Sequence, residues 1–202
     1  MSVTTGTPLV LASASPRRAE LLQRVGLEFE VVVPDVDESV HDGEPPDRYA
    51  ARVAADKAAR VAALRPDAVV LAADTAVVVD GDALGKPADA HDAVRMLRRL
   101  SGRTHRVLTA VHVVTPDGRA YEVTVGAEVT MAALGDDEIV AYVGTGEPLD
   151  KAGAYAVQGR GAALVTRLEG DPTTVVGLPL RTTLDLLDRA GVRPRRPGHE
   201  RQ

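Results

Sequence analysis

Apolar, β-branched runs that alternate with amphipathic helical stretches predict an α/β fold: a mixed central β-sheet flanked by helices. Two observations carry most of that prediction. The segment Ala68-Val69-Val70-Leu71-Ala72-Ala73 is continuously apolar, the mark of a strand buried on both faces. The stretches 106–114 and 121–131 read as two long strands joined by Pro116-Asp117-Gly118, a hairpin signal. Taken in order, 9–13 reads as a strand. Residues 16–25 form a helix with Ser15 at its N-cap and Pro16 at its first position. A strand at 29–33 precedes a long helix at 46–64, whose apolar stripe is Ala50, Val53, Ala54, Ala58, Val61 and Leu64. The strand at 68–73 comes next, then a short hairpin at 77–84 turning on Asp80-Gly81. Helices at 89–100, 136–143 and 179–190 and a strand near 163–167 complete the pattern.

With 202 residues the chain is long enough for one sizeable core. We expect one domain over 1–192 and a polar tail at 193–202, rich in Arg and Pro. No apolar run approaches the roughly 20 residues of a membrane helix, and the opening residues 1–8 lack the form of an export signal, so a cytoplasmic protein is expected. No Cys is present, which excludes a disulfide scaffold, a thiolate metal site and a thiol nucleophile. Twenty-four Lys and Arg against 29 Asp and Glu give a net charge of −5, which argues against wholesale nucleic-acid or membrane binding. Four Tyr, one Phe and no Trp leave few stacking platforms for single strands.

Several charges sit where folding alone would not place them. Arg17 and Arg18 occupy the first turn of the helix at 16–25, at the positive end of its dipole, where a cation is disfavoured by roughly 0.3–1 kcal/mol. Arg18 is also in phase with Leu21, Leu22 and Val25, on the inward stripe. Cations converging with free backbone amides suit an anion; pairing with carboxylates elsewhere is the plainer alternative. Lys57 repeats the anomaly on the stripe of the helix at 46–64, where snorkelling past small Ala neighbours competes with reaching an anion in a cleft. Asp74 is expected to end the strand at 68–73, at the carboxyl edge where α/β sheets gather ligands, with Thr75 beside it; capping the following turn is the alternative.

The segment from Gly81 to Pro87 resembles a phosphate loop, but three residues separate Gly81 from Gly85 where four are needed, and Pro87 follows Lys86 where Ser or Thr should stand. It is therefore read as a loop that presents Lys86. Asp35, Asp37 and Glu38 form an acidic loop of the kind that, with phosphate oxygens and water, holds Mg²⁺. Asp150-Lys151-Ala152-Gly153-Ala154-Tyr155 and Gln158-Gly159 form a small-residue segment where backbone approaches a ligand closely. His41, His91, His105, His112 and His199 show no metal-binding spacing.

The segments SASPRR at 13–18, VDES at 36–39, ADKA at 55–58, AADT at 72–75, GKP at 85–87, LSGRTHRV at 100–107, EPLDKAGAYAVQG at 147–159 and VVGLPL at 175–180 together resemble the Maf family of nucleoside triphosphate pyrophosphatases. The resemblance runs from the first strand to the last helix. It implies two lobes around a cleft, and hydrolysis of a nucleoside triphosphate to monophosphate and pyrophosphate with Mg²⁺ or Mn²⁺. By position it makes Asp74 the proton acceptor with Lys57 and Lys86 as catalytic partners. Ser13, Arg17, Arg18, Thr75 and Gln158 become substrate-binding residues, and Glu38 a metal residue. Arg17, Thr75 and Gln158 match the dTTP/UTP group of the family, whereas the run Gly170-Asp171-Pro172-Thr173-Thr174 looks more like its 7-methyl-GTP group. A nucleoside triphosphate is thus the expected partner, without nucleic acid or membrane, and a homodimer is left open. A nucleotide-binding regulator of cell division and a nucleotidyltransferase are the competing readings.

Overall fold

The computed structural model describes residues 7–194. Most of the opening segment 1–8, most of the tail at 193–202, and His199 lie outside the described residues. The seven strands are β1 (Leu9–Ala12), β2 (Glu30–Val32), β3 (Val69–Val79), β4 (Asp82–Leu84), β5 (Thr104–Val114), β6 (Ala120–Met131) and β7 (Val165–Glu169). They form one mixed sheet in the order β2-β1-β3-β5-β6-β7, with β4 paired to β3. β1 lies parallel to β2 and β3, and every other pairing is antiparallel. The helices are α1 (Pro16–Arg24), α2 (Pro46–Leu64), α3 (Ala90–Leu100), α4 (Asp136–Val143), α5 (Pro172–Val176) and α6 (Leu180–Arg189).

Side chains alternate across a strand, and that alternation sorts the helices. One face of the sheet, through Val10, Ala12, Val70 and Ala72, packs on Ala58 and Val61 of α2; farther along, Ala76 and Ala110 meet Tyr49, Ala50 and Val53. On the other face, Leu71 and Ala73 pack with Leu22 of α1 and Leu187 of α6. Val77 and Val79 pack instead with Leu97 of α3 and Ile139 of α4. The long strand β3 therefore crosses from one apolar cluster into another, and Thr75 lies between them. These clusters are the cores of two lobes, and the cleft runs between them.

The strand expected to stop at Ala73 continues to Val79, so Asp74 lies inside β3 and not at its end. The reason is tertiary: β5 pairs with β3 from Val70 to Val78, setting Asp74 against Ala110 and Thr75 against Thr109. On the opposite edge, β1 pairs with β3 only as far as Ala72, and β4 begins its pairing at Val77. Between them the edge of β3 carries no strand. This notch lets Asp74 and Thr75, which point to opposite faces, open into one space. Asp80 and Gly81 make the β3–β4 turn with positive φ at both positions. The segment between α4 and β7 holds short 3₁₀ turns at Glu147–Asp150, Ala152–Ala154 and Gly159–Leu164, and α5 precedes α6; these turns are too short for a periodic signal. Among the described residues no helix is long and apolar enough to cross a membrane.

Candidate active site

A cavity of about 310 Å³ opens at the notch. Ser13, Arg17, Arg18, Glu38, Lys57, Asp74, Thr75, Lys86 and Gln158 all line it, although they come from segments spread over most of the chain. Lys151 and Asp150 line it too. Five cations and three carboxylates thus share the cavity, an excess of positive charge in a chain whose net charge is −5. Asp37 does not join them: its carboxylate accepts the Ser39 amide at 2.8 Å, which holds its pKa below the usual value.

On the α2 face, Lys57 is buried within a stripe of Val53, Ala54, Ala58 and Val61. Its Nζ lies 2.7 Å from Oδ1 of Asp74 and 2.8 Å from Oε1 of Glu38. A buried ammonium needs such partners, because desolvation without them costs several kcal/mol. Lys57 therefore binds two carboxylates together, and it neither snorkels nor reaches freely into the cleft. Lys86 stands at the rim, 62% exposed, with Nζ 3.6 Å from Oε2 of Glu38. Burial pushes the Glu38 carboxyl up, but the hydrogen bond and charge of Lys57 and the charge of Lys86 outweigh it, so its pKa lies below the usual carboxylate value. Tyr49 donates its hydroxyl to the Glu38 carbonyl at 3.1 Å and so ties the acidic loop to α2. Burial raises the Tyr49 pKa to about 12, so it remains a neutral donor.

On the α1 face, Arg18 is equally buried, and no carboxylate touches it. Its Nε donates to the Gly177 carbonyl at 2.7 Å, Nη1 to Ser13 Oγ at 3.1 Å and Nη2 to Thr75 Oγ1 at 3.2 Å. These bonds occupy three of five guanidinium donors, all on neutral acceptors. Burial lowers the Arg18 pKa, and the more distant charges of Asp74 and Glu38 oppose that shift; an Arg stays charged regardless. Gly177 has φ +114°, a conformation that favours glycine, and this turn aims its carbonyl at the guanidinium. Ser15 holds the N-cap position of α1, but its side chain caps nothing, and the first-turn residues Pro16 and Arg17 line the cavity.

The third wall comes from the 3₁₀ segment. Arg17 Nη1 lies 4.0 Å from Asp150 Oδ2 across the cleft, and Lys151 Nζ lies 2.6 Å from Asp150 Oδ1. Gly153, with φ +67°, sits where a Cβ would come within 2.9 Å of Val77, so the segment packs hard against β3. Gln158 is extended just before the positive-φ Gly159 and faces the cavity.

Sequence patterns did not single out Tyr49 or Thr109 as parts of this region, and gave Asp150 and Tyr155 only as members of a small-residue segment. Each looks like an ordinary residue of a helix, turn or strand, and only the packing brings it to the site. Tyr155 donates to or accepts from His105 Nε2 at 2.6 Å in an edge-on contact.

Known proteins agree with this architecture. A curated dTTP/UTP pyrophosphatase of Anaeromyxobacter dehalogenans is 57% identical over 186 residues, covering 91% of this chain and 94% of its own. One of Symbiobacterium thermophilum is 52% identical over 185 residues, with 91% and 94% covered. A solved HAM1 protein from Coxiella burnetii shares the fold at a TM-score of 0.52 and 16% identity, over 92% of this chain and 100% of that one. The family profile described as Maf-like protein matches residues 8–190. That match takes in every strand that frames the cleft, and the chain belongs to the Maf family.

Proposed function

We propose that this protein is a nucleoside triphosphate pyrophosphatase acting on dTTP and UTP as a house-cleaning enzyme in the cytoplasm. The observation that carries the proposal is the excess of cations around a notch in the sheet of an acidic protein, together with relatives named for that activity. A triphosphate is a polyanion, and water attacks it slowly because like charges repel the nucleophile. Arg18, held by neutral acceptors, keeps its charge and two N–H donors available to it. Arg17 and Lys86 lie nearer solvent and add charge at the entrance. Lys57 keeps Asp74 and Glu38 in register.

In the reaction, Asp74 orients water toward the α-phosphorus and accepts its proton. Lys57 takes one oxygen of that carboxylate, and Oδ2 has no hydrogen bond among the described residues. The bond from the α-phosphorus to the bridging oxygen breaks, water supplies the new oxygen, and nucleoside monophosphate and pyrophosphate leave. General-base assistance of this kind is worth about 10²–10⁴-fold. Among the described residues no three His, Asp or Glu converge as a metal cage. Glu38, 39% exposed and lining the cavity, is instead the carboxylate assigned to an ion completed by phosphate oxygens and water, as Mg²⁺ or Mn²⁺ prefers. When bound, the ion supplies Lewis-acid stabilisation of the departing pyrophosphate. Arg17, Thr75 and Gln158 face the same cavity and are assigned to substrate selection.

Residues 1–192 act as one domain in this reading. The test is pyrophosphate release from dTTP, UTP and 7-methyl-GTP with water as the sole acceptor, coupled to inorganic pyrophosphatase and phosphate detection. Release from dTTP and UTP is expected. Binding without release would favour a regulator, and release that needs an added acceptor would favour a nucleotidyltransferase.

A further inference from the structure

Resting on the dTTP/UTP reading above, we propose that Thr109, a residue that does not line the cavity, is a positioning residue for base selection: it fixes the hydroxyl of Thr75 as a pure hydrogen-bond acceptor, which selects a base bearing an imino N–H. Thr109 is fully buried, at 0% exposure, in the middle of β5. Its Oγ1 lies 2.7 Å from the Thr174 carbonyl and 2.9 Å from Thr75 Oγ1. A carbonyl only accepts, and two oxygens at 2.7 Å repel unless a proton lies between them. Thr109 therefore spends its single hydrogen on Thr174. The contact at 2.9 Å then requires that the hydrogen between the two threonines belong to Thr75.

Arg18 Nη2 donates to the same Thr75 oxygen at 3.2 Å. The hydroxyl of Thr75 has given away its one hydrogen and one lone pair, and what remains, on a residue that lines the cavity, is an acceptor lone pair. Such a group repels phosphate oxygens and favours a donor. Uracil and thymine carry a hydrogen on N3, whereas cytosine presents a lone pair there. The direction of the chain is imposed from the Thr174 carbonyl in the middle of α5, so two groups that do not themselves line the cavity set what it accepts.

The experiment compares kcat/KM for UTP against CTP, and dTTP against dCTP, in wild type, Thr109→Val and Thr109→Ser. Valine keeps the branched shape and strand preference, and the Thr174 carbonyl still accepts the Gly177 amide at 3.1 Å. Freed from its partner, Thr75 can turn its hydrogen toward cytosine N3. The uracil-to-cytosine preference is expected to fall on the order of tenfold in Thr109→Val, the scale of one buried hydrogen bond, and to recover in Thr109→Ser. On a Thr75→Val background, Thr109→Val should change the ratio no further. A folded Thr109→Val with the wild-type ratio, or an effect that persists without the Thr75 hydroxyl, overturns the proposal, as does a wild type indifferent to the two bases. Should Thr109→Val fail to fold by circular dichroism, Thr109→Ala carries the same expectations. Calorimetric Kd values for α,β-methylene UTP and CTP separate this proposal from the pyrophosphatase reading. A ratio that shifts with Thr109 in a protein that releases no pyrophosphate sustains the first and ends the second.

Discussion

Two buried cations lie on either side of β3, each on the apolar stripe of a helix, and the fold treats them in opposite ways. Lys57 meets two carboxylates at 2.7 and 2.8 Å. Arg18 meets a carbonyl and two hydroxyls. The first arrangement neutralises charge and holds acids in register, which suits proton transfer. The second satisfies geometry while leaving charge unspent, which suits an anion arriving from outside. One sequence anomaly, a cation among apolar neighbours, thus has two meanings that burial alone does not separate. The kind of partner separates them.

The largest effect should come from the neutralised side. Asp74→Asn keeps an oxygen for Lys57 and removes the acceptor of the water proton. It should cut kcat by about 10²–10⁴-fold while nucleotide binding by calorimetry stays largely intact; wild-type turnover would remove Asp74 from its role. Next, Lys57→Met strands two carboxylates, and breaking a buried pair from one side costs about 3–5 kcal/mol, discounted here because Glu38 is 39% exposed. Urea unfolding should show the loss, with nucleotide affinity and rate falling together. A stable, fully active Lys57→Met would mean that the ion cluster is ornamental.

A third test asks what happens to a buried cationic group that can give up its proton. His105 has neutral Tyr155 as its partner, and burial lowers its pKa to about 4. A folded-state pKa below the unfolded value of about 6.5 means that the unfolded chain binds the extra proton, so stability is present above that value and is lost as pH falls toward 4. Between pH 7 and pH 5 the His105 contribution should fall by roughly 2 kcal/mol, and His105→Gln should flatten that part of the stability curve. Arg18, which cannot deprotonate, should add no slope of its own. The smallest effect belongs to Ser13→Ala, which removes the acceptor of Arg18 Nη1 and of the Ser15 amide. It should raise KM severalfold and cost about 1 kcal/mol; an unchanged KM would detach Ser13 from the anion site.

Much of this was legible without coordinates. The apolar run after Ala68 and the Asp80-Gly81 turn depend on local chemistry and come through in the pattern, whereas the helix read from Asp89 starts at Ala90, with the Asp89 side chain capping it by accepting the Asp92 amide at 2.7 Å. Arg18 and Lys57 stood out because charge violated helical periodicity, a violation visible in one dimension. Asp74 stood out as well, but for a place at the end of a strand that it does not occupy. The strand runs on past Ala73 because β5 pairs with it as far as Val78, and no local signal encodes a partner some 30 residues away in sequence. Tyr49 and Thr109 stayed hidden for the same reason, since their roles are contacts and not patterns.

Composition and spacing determined the layers, the helix faces and which charges were out of place, because hydrophobic periodicity and turn chemistry act over a few residues. Only the tertiary structure decided where β1 stops and β4 starts against β3, hence where the sheet opens, and which partner each buried cation receives. Both are properties of pairing between distant segments, where desolvation in a packed interior makes the choice of carboxylate or hydroxyl matter.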